Sequence, residues 1–211
     1  MSYIHSAQSD CMGNTSAEYC GGWDNSGCQG TEYCQPRCPR FIDKAGGTWT
    51  FRVATTDDIE PLLEMYSAFD SADRAQGIPP AADHRCRSWL ETLFAEGYNI
   101  VAEGQTRLVG HVVFTAADDP QPELAVFVHP EYHNRGIGTE LCKQAAAAAL
   151  EADCEKLMLH VEQKNRAAIA VYERLGFEIV DGEYGLEMVL SLDDTTEREV
   201  CAPPAHYSQT A

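Results

Sequence analysis

The segment between Glu123 and Glu151 constrains the fold more than any other part of the chain. A short apolar run that predicts a strand leads into a turn with Gly136 and Gly138, and an Ala-rich stretch that favours a helix follows from Ile137. Glycines at such a turn let backbone N–H groups approach an anion, and the helix dipole adds positive potential. The segment therefore predicts packed strands and helices, with either an anion site or a glycine-rich helix start that binds nothing.

Two common phosphate-binding motifs do not fit this turn. A Walker loop requires Gly-Lys-Ser/Thr, whereas Gly138 is followed by Thr139 and Glu140. A dinucleotide fingerprint requires a third glycine three residues after Gly138, and Leu141 holds that position. The turn is therefore predicted to serve neither a Walker site nor a Rossmann site.

The character of the chain changes at Thr48. Residues 1–47 are rich in Gly, Ser, Asn, Asp and Cys and poor in aliphatic residues, so they cannot form a core by themselves. From Thr48 to Leu192 the periodicity gives the order β, α, α, β, β, β, α, β, α, β, β, which predicts a mixed sheet with helices on its faces. We expect an α/β domain of the α+β mixed-sheet type at residues 48–192, and a flexible C-terminal tail at residues 193–211.

Two blocks of sequence resemble the GNAT superfamily of N-acetyltransferases. The first, from Val128 to Thr139, is Val-x-Pro-x-Tyr-x-x-Arg-Gly-Ile-Gly-Thr. The second, from Asn165 to Phe177, is Asn-x-x-Ala-Ile-Ala-x-Tyr-Glu-x-Leu-Gly-Phe. Both have the order and spacing of the family, although His133 stands where the family usually has Gln or Arg. The resemblance implies the GNAT acyl-CoA N-acyltransferase fold, here with a Cys-rich N-terminal extension.

The resemblance also implies that acetyl-CoA is the cosubstrate, and it indicates the residues that would bind it. Backbone groups of a strand that splays from its neighbour would bind the pantetheine arm, and the glycine turn would wrap the diphosphate. The implied residues are Phe127 and Val128 on the strand, Asn134, Arg135, Gly136, Ile137, Gly138 and Thr139 in the turn, and Asn165 near the thiol end of the arm.

The implied reaction is the attack of an amine on a thioester carbonyl. A lysine-like amine has a pKa of about 10.4, so a base must accept its proton at neutral pH. By resemblance, Tyr172 would protonate the leaving thiolate and a backbone N–H of the splayed strand would stabilise the oxyanion. Glu123 and His160 are rival candidates for the base, because members of the family carry a catalytic Glu at one or the other strand position. Purely structural roles for Glu123, His160 and Tyr172 are the alternative.

The charge and the apolar pattern exclude several classes of protein. The formal net charge is -18, from 33 acidic and 15 basic residues, which disfavours direct binding of nucleic acid. The acidic residues are scattered along the chain, which favours an acidic halophilic-type protein or basic partners. No run of about 18 apolar residues predicts a membrane span, and the N-terminus does not resemble a signal peptide. We therefore expect a cytoplasmic protein that binds no membrane.

The first 38 residues hold five of the nine cysteines. Four thiolates could close a tetrahedral zinc site and stabilise a segment that lacks a core. The candidate ligands are Cys20, Cys28, Cys34 and Cys38. Cys11 or His5 could replace Cys20, and a disulfide pair, a redox sensor and a disordered tail are alternatives to zinc.

Besides a zinc-dependent adaptor that keeps the fold for stability alone, two functions remain open at this point. The first is an acetyl-CoA-dependent N-acetyltransferase, which acetylates a primary amine of a protein lysine, a protein N-terminus or a small molecule by direct attack in a ternary complex. The alternative is a non-catalytic acyl-CoA-binding sensor with a zinc-stabilised head that contacts a partner.

Overall fold

The computed structural model describes residues 23, 28–30, 35–71, 73–74, 78–115, 122–181 and 186–201. The strands are β1 (Arg40–Ile42), β2 (Thr48–Val53), β3 (Gly97–Glu103), β4 (Leu108–Thr115), β5 (Leu124–Val128), β6 (Lys156–Val161), β7 (Glu178–Asp181) and β8 (Leu186–Ser191). The helices are α1 (Ile59–Ser67), α2 (Asp83–Glu96), α3 (Ile137–Glu151), α4 (Arg166–Arg174) and α5 (Asp194–Val200), with 3₁₀ turns at Thr56–Asp58 and Pro130–Tyr132. The predicted order of elements is found from β2 to β8, and β1 and α5 are additions to it.

The sheet is divided beside β5. Strands β1 to β5 form one antiparallel sheet in chain order, and β6, β8 and β7 form a second antiparallel sheet in that order. A parallel bridge between Glu123 and Met158 joins them, and there the Met158 amide donates to the Pro122 carbonyl at 2.9 Å. Within the described ranges no other pairing joins β5 to β6, so the two strands separate beyond the bridge. We call the gap between them the split.

Helices cover both faces of the first sheet. On one face, α1 and α2 bury Leu62 and Leu90 against β3 and β4. On the other face, α3 packs across β3, β4 and β5, and its Leu141 is fully buried. The close approach of α3 depends on Gly110 of β4, because a Cβ there would lie 2.7 Å from Cδ1 of Leu141. A larger residue at this position would push α3 away from the strand that leads to the split.

Residues 35–47 belong to the folded domain, so the boundary expected at Thr48 lies too late in the chain. β1 pairs with β2, and Arg37 is buried with 3% of its surface exposed. The Arg37 guanidinium donates to the two carboxylate oxygens of Glu140 at 2.5 and 2.8 Å, and to the Val200 carbonyl at 2.8 Å. These bonds tie the N-terminal segment to the start of α3 and the end of α5.

The flexible tail expected from residue 193 is wrong for its first part. The Asp193 side chain accepts hydrogen bonds from the Thr195 and Thr196 amides at 2.9 and 3.0 Å, which starts α5. Val200, in the last turn, is buried in the core cluster around α3. Residues 202–211 lie outside the described residues. Among the helices that the structure describes, none has both the length and the apolar character needed to cross a membrane.

Candidate active site

The edge of β5 that faces the split carries backbone groups without strand partners. Beyond the last residue of β5, the His129 amide donates to the Val109 carbonyl of β4 at 2.9 Å. Residues that bond to one neighbour alternate along an antiparallel strand, so the odd-numbered residues of β5 bond to β4. The backbone groups of Val126 and Val128 therefore face the split, and neither amide has an acceptor in the described part of the chain.

Phe127 does not have the role that was expected for its backbone. It lies opposite His111 in the register with β4, so its amide and carbonyl are directed away from the split. Val126 takes its place as a candidate for binding an extended ligand. The half-buried Phe127 ring instead packs edge-on against Tyr66 and Trp89, at centroid distances of 5.5 and 5.6 Å. We call Trp89 and Phe127, which are half-buried, together with the buried Tyr66 behind them, the aromatic wall; it lies beside β5 on the α1 and α2 face.

Residues 134–139 form a turn that exposes a run of backbone amides. Asn134 and Gly136 have left-handed backbones, with φ of 61° and 95°. The first helical bond of α3 runs from the Glu140 amide to the Gly136 carbonyl, at 3.0 Å. None of the amides of residues 134–139 has an acceptor among the residues that the structure describes. A run of amides at the start of a long helix attracts anions, because each N–H and the helix dipole present positive charge.

The two glycines of this turn have different physical roles. Gly136 requires its positive φ, and a Cβ there would lie 3.3 Å from Cζ of Phe41. At Gly138 a Cβ would lie 3.4 Å from Cγ2 of Val128, so the start of α3 lies directly against the end of β5. The exposed amides of the turn and the split edge of β5 are therefore neighbours.

The side chains of His133 and Arg135 form contacts that stabilise the turn. Nε2 of His133 donates to the Val128 carbonyl at 2.8 Å, because a carbonyl oxygen can only accept. The Arg135 guanidinium lies over the Tyr132 ring, 4.7 Å from its centroid, and 3.8 Å from Oδ2 of Asp43. His133 thus satisfies the carbonyl of Val128 and leaves its amide available, while Asp43 partly neutralises the charge of Arg135.

Glu123 and His160, the rival candidates for the base, are in contact with each other. Nδ1 of His160 lies 3.1 Å from Oε1 of Glu123, and Nε2 lies 3.7 Å from Oε2 of Glu187. The Glu123 side chain is 51% exposed and that of His160 is 35% exposed, so a substrate from solvent can reach them. Glu187 was not predicted. Its place opposite His160 follows from the pairing of β6 with β8, which neither segment reveals alone.

The sequence of this chain matches the model of a known protein family. The model of the Acetyltransferase (GNAT) family matches residues 62–177, which is more than half of the chain and includes the split, the turn and α4. This chain is a member of the GNAT acetyltransferase family. The predicted GNAT family and its mixed α/β fold are thereby confirmed, and the Cys-rich N-terminal extension stays a prediction.

Individual relatives of this GNAT protein agree. An uncharacterized N-acetyltransferase of Methanocaldococcus jannaschii is 31% identical over 139 residues, which are 62% of this chain and 61% of that protein. The chain therefore spans less than two thirds of that relative's length. The crystal structure of the GNAT domain of S. lividans PAT has a TM-score of 0.64 at 19% identity and covers 72% of this chain and 96% of that one. The structure of yncA from Salmonella typhimurium with acetyl-CoA has a TM-score of 0.57 at 21% identity and covers 69% and 95%.

Tyr172 of this GNAT domain lies on the face of the sheet opposite to the base candidates. It packs in the cluster around α3, which also buries Leu159 and Val161 of β6. Side chains alternate along a strand, so His160 between those two residues faces the other way. Burial raises the pKa of Tyr172 above its usual value, and Cys142 contributes further in the same direction. The phenol therefore keeps its proton at neutral pH.

Asn165 begins the helix that carries Tyr172. Its Oδ1 accepts a hydrogen bond from the Ala168 amide at 3.1 Å, so it is the N-cap of α4. Its side-chain NH₂ group has no acceptor within the described ranges and is free to donate to a ligand. Among the described residues, no hydrogen bond joins Asn165 or Tyr172 to Glu123 or His160.

A buried polar network supports the aromatic wall, and sequence reasoning missed it. Nδ1 of His111 lies 2.6 Å from the Tyr66 hydroxyl, and Nε2 lies 3.0 Å from Oδ1 of Asn99. The Asn99 NH₂ group donates to the carbonyls of Leu93 and Gly97, so Oδ1 must accept from His111. Nε2 of His111 therefore carries a proton. Burial lowers the pKa of His111 far below its usual value, so the ring is neutral at pH 7 and Nδ1 accepts from Tyr66. The only signal in the sequence is one His within the apolar run of β4.

The zinc site expected in the N-terminal segment stays a prediction. Cys20 and Cys34 lie outside the described residues. Cys28 and Cys38 are half-buried, and Cys28 Sγ accepts a hydrogen bond from the Gly30 amide at 3.4 Å. Among the described residues, no group of three or more His, Cys, Asp or Glu side chains is placed to hold a metal ion.

Proposed function

We propose that this GNAT protein transfers the acetyl group of acetyl-CoA to a primary amine, by direct attack in a ternary complex. The observation that carries the proposal is the split between β5 and β6, which has exposed turn amides at one end and the Glu123–His160 pair at the bridge. The split offers an extended ligand the backbone bonds of a missing strand, and the turn offers its diphosphate an anion site.

The residues that would hold acetyl-CoA follow from this geometry. The amides of residues 134–139 would bind the diphosphate, and the backbone groups of Val126 and the amide of Val128 would pair with the pantetheine arm. The free NH₂ group of Asn165 would donate to the same arm. The related structure of yncA was solved with acetyl-CoA, which supports this cosubstrate. When bound, acetyl-CoA supplies the thioester carbonyl that the amine attacks.

Glu123 and His160 act as one unit in the proposed reaction rather than as rivals. Glu123 is the more exposed of the two and accepts the proton that the ammonium group must lose. His160 donates from Nδ1 to the Glu123 carboxylate and holds it in position, while Glu187 faces the other ring nitrogen. The acceptor would reach Glu123 from the face lined by the aromatic wall.

The remaining groups stabilise the charge that develops during transfer. As the N–C bond forms and the C–S bond breaks, the amide of Val126 or Val128 donates to the carbonyl oxygen. Tyr172 is neutral and lies on the far face, from which it would donate its proton to the leaving thiolate. The proton that the new amide nitrogen loses would pass to solvent, and solvent would return a proton to the phenolate. The base that deprotonates the amine and the acid that protonates the thiolate would thus lie on opposite faces of the sheet.

The test is an assay of acetyl-CoA with a panel of primary amines, with the acetylated product and free CoA measured by mass spectrometry. We expect turnover with at least one amine. Glu123→Gln should lower kcat/KM by about 10²–10⁴, and His160→Gln by about tenfold. Both variants should bind CoA as the parent does. Glu155→Gln, which lies just before β6, is the matched control and should keep full activity.

Two results would contradict the proposal. Binding of acetyl-CoA without acetylation of any amine would favour the acyl-CoA sensor instead. Full activity in Glu123→Gln would show that another group accepts the proton.

A further inference from the structure

The loop between β1 and β2 is held in one conformation by a buried carboxylate. Oδ1 of Asp43 accepts from the Ala45 and Gly47 amides, both at 2.8 Å, and Oδ2 accepts from Nε1 of Trp49 at 2.9 Å. The Asp43 amide donates to the Gly47 carbonyl at 2.8 Å. These bonds to Asp43 fix the path of the loop and therefore the position of the Lys44 backbone.

This loop is docked on the amide turn. The Lys44 amide donates to the Arg135 carbonyl at 3.0 Å. Cε of Lys44 lies 3.9 Å from the position that a Cβ on Gly136 would occupy, and Cζ of Phe41 lies 3.3 Å from it. The ammonium group of Lys44 is one bond beyond that Cε, so it is beside the turn.

Lys44 forms no ion pair with an acidic residue among the described residues, and its side chain is exposed. Arg135, by contrast, is stacked on Tyr132 and lies near Asp43. In a chain with a net charge of -18, an unpaired cation beside a run of unpartnered amides indicates an anionic ligand.

We propose that Lys44 binds a phosphate group of coenzyme A, so that the loop between β1 and β2 completes the cosubstrate site. This inference rests on the proposed function, because it assumes that the turn binds CoA. The phosphate is either part of the diphosphate or the 3′-phosphate, and both offer the same charge to the ammonium group. Lys44 is a binding residue and takes no part in the chemical step.

The experiment measures the Kd of CoA, 3′-dephospho-CoA and pantetheine by calorimetry for the parent, Lys44→Gln, Lys44→Arg and Lys156→Gln. Lys156 is the matched control, because it begins β6 at the end away from the turn. We expect Lys44→Gln to weaken CoA binding about fivefold to tenfold, and Lys44→Arg to stay within about twofold of the parent. Pantetheine, which has neither phosphate group, should bind equally to all four proteins.

The three ligands identify the phosphate group that Lys44 binds. The outcomes also distinguish a failure of this inference from a failure of the proposed function. If the loss in Lys44→Gln persists with 3′-dephospho-CoA, Lys44 binds the diphosphate, and if it disappears, Lys44 binds the 3′-phosphate. Added KCl should reduce the difference in the Kd of CoA between the parent and Lys44→Gln, because salt screens the charge of Lys44. A Kd for CoA in Lys44→Gln within about twofold of the parent, or an equal loss in Lys156→Gln, overturns the inference and leaves the function intact. A parent that does not bind CoA overturns both.

Discussion

Glu123, His160 and Glu187 come from three separate strand positions, and their contact changes the interpretation of each residue. In isolation, an exposed Glu and a strand His are competing bases. In the proposed reaction, Glu123 would accept a proton while His160 holds its carboxylate in position, and Glu187 would restrain the imidazole. At the scale of single residues, the proposed chemistry therefore belongs to the cluster rather than to any one of its members.

His111 gives a residue-scale prediction about pH. Burial lowers its pKa to about 3, whereas an unfolded His has a pKa of about 6.5. Between these values the unfolded state binds one more proton than the folded state, so stability falls as the pH falls through that window. The slope from this residue is at most about 1.4 kcal/mol per pH unit. Urea unfolding of the parent at pH 7, 6 and 5 should show this loss.

The matched variants isolate the contribution of His111. His111→Gln removes the titrating group, so its stability should depend less steeply on pH even if it is lower at pH 7. His84→Gln removes an exposed His of α2 and should keep the slope of the parent. An unchanged slope in His111→Gln would show that other groups cause the acid sensitivity.

At the scale of elements, the N-terminal segment, α3 and α5 depend on one another through a buried ion pair. The Arg37 and Glu140 side chains are only 2% and 9% exposed, and Nε2 of Gln144 donates to the Cys38 carbonyl beside them. α3 begins at the amide turn, so this ion pair also holds the helix that presents the candidate diphosphate site. Residues 37–38 and the last turn of α5 therefore help to hold α3 in place.

Removing one partner of this pair should destabilise the protein strongly. Arg37→Met leaves the Glu140 carboxylate buried without its cation, and we expect a loss of about 3 kcal/mol in the free energy of unfolding. The double variant Arg37→Met/Glu140→Met should lose less than the sum of the two single variants. Arg87→Met breaks an exposed pair with Glu60 and should cost less than about 1 kcal/mol. Urea unfolding measures all four, and equal losses in Arg37→Met and Arg87→Met would contradict the assignment.

At the scale of the whole molecule, the charge of -18 should make the folded state sensitive to salt. Acidic groups that repel one another destabilise the compact state, and salt screens them over about 3 Å at 1 M against about 10 Å at 0.1 M. We expect the Tm to rise by about 5 °C between 0.1 and 1 M KCl, which corresponds to about 2 kcal/mol. Sucrose of equal osmolarity is the uncharged control. A Tm that does not change with KCl, or that rises equally in sucrose, would contradict a salt-adapted surface. The cytoplasmic location stays a prediction.

The sequence by itself determined the family and the order of elements, because periodicity, Gly136, Gly138 and the motif around Tyr172 are local signals. Local signals do not report pairing between distant segments. Only the tertiary structure decided that Val126 rather than Phe127 faces the split, since that depends on the register of β5 with β4. It also placed His160 against Glu123, Arg37 in the core and Lys44 beside the turn. Each of these contacts joins residues that are far apart in the chain, and the energy that forms it comes from packing that no short stretch of sequence contains.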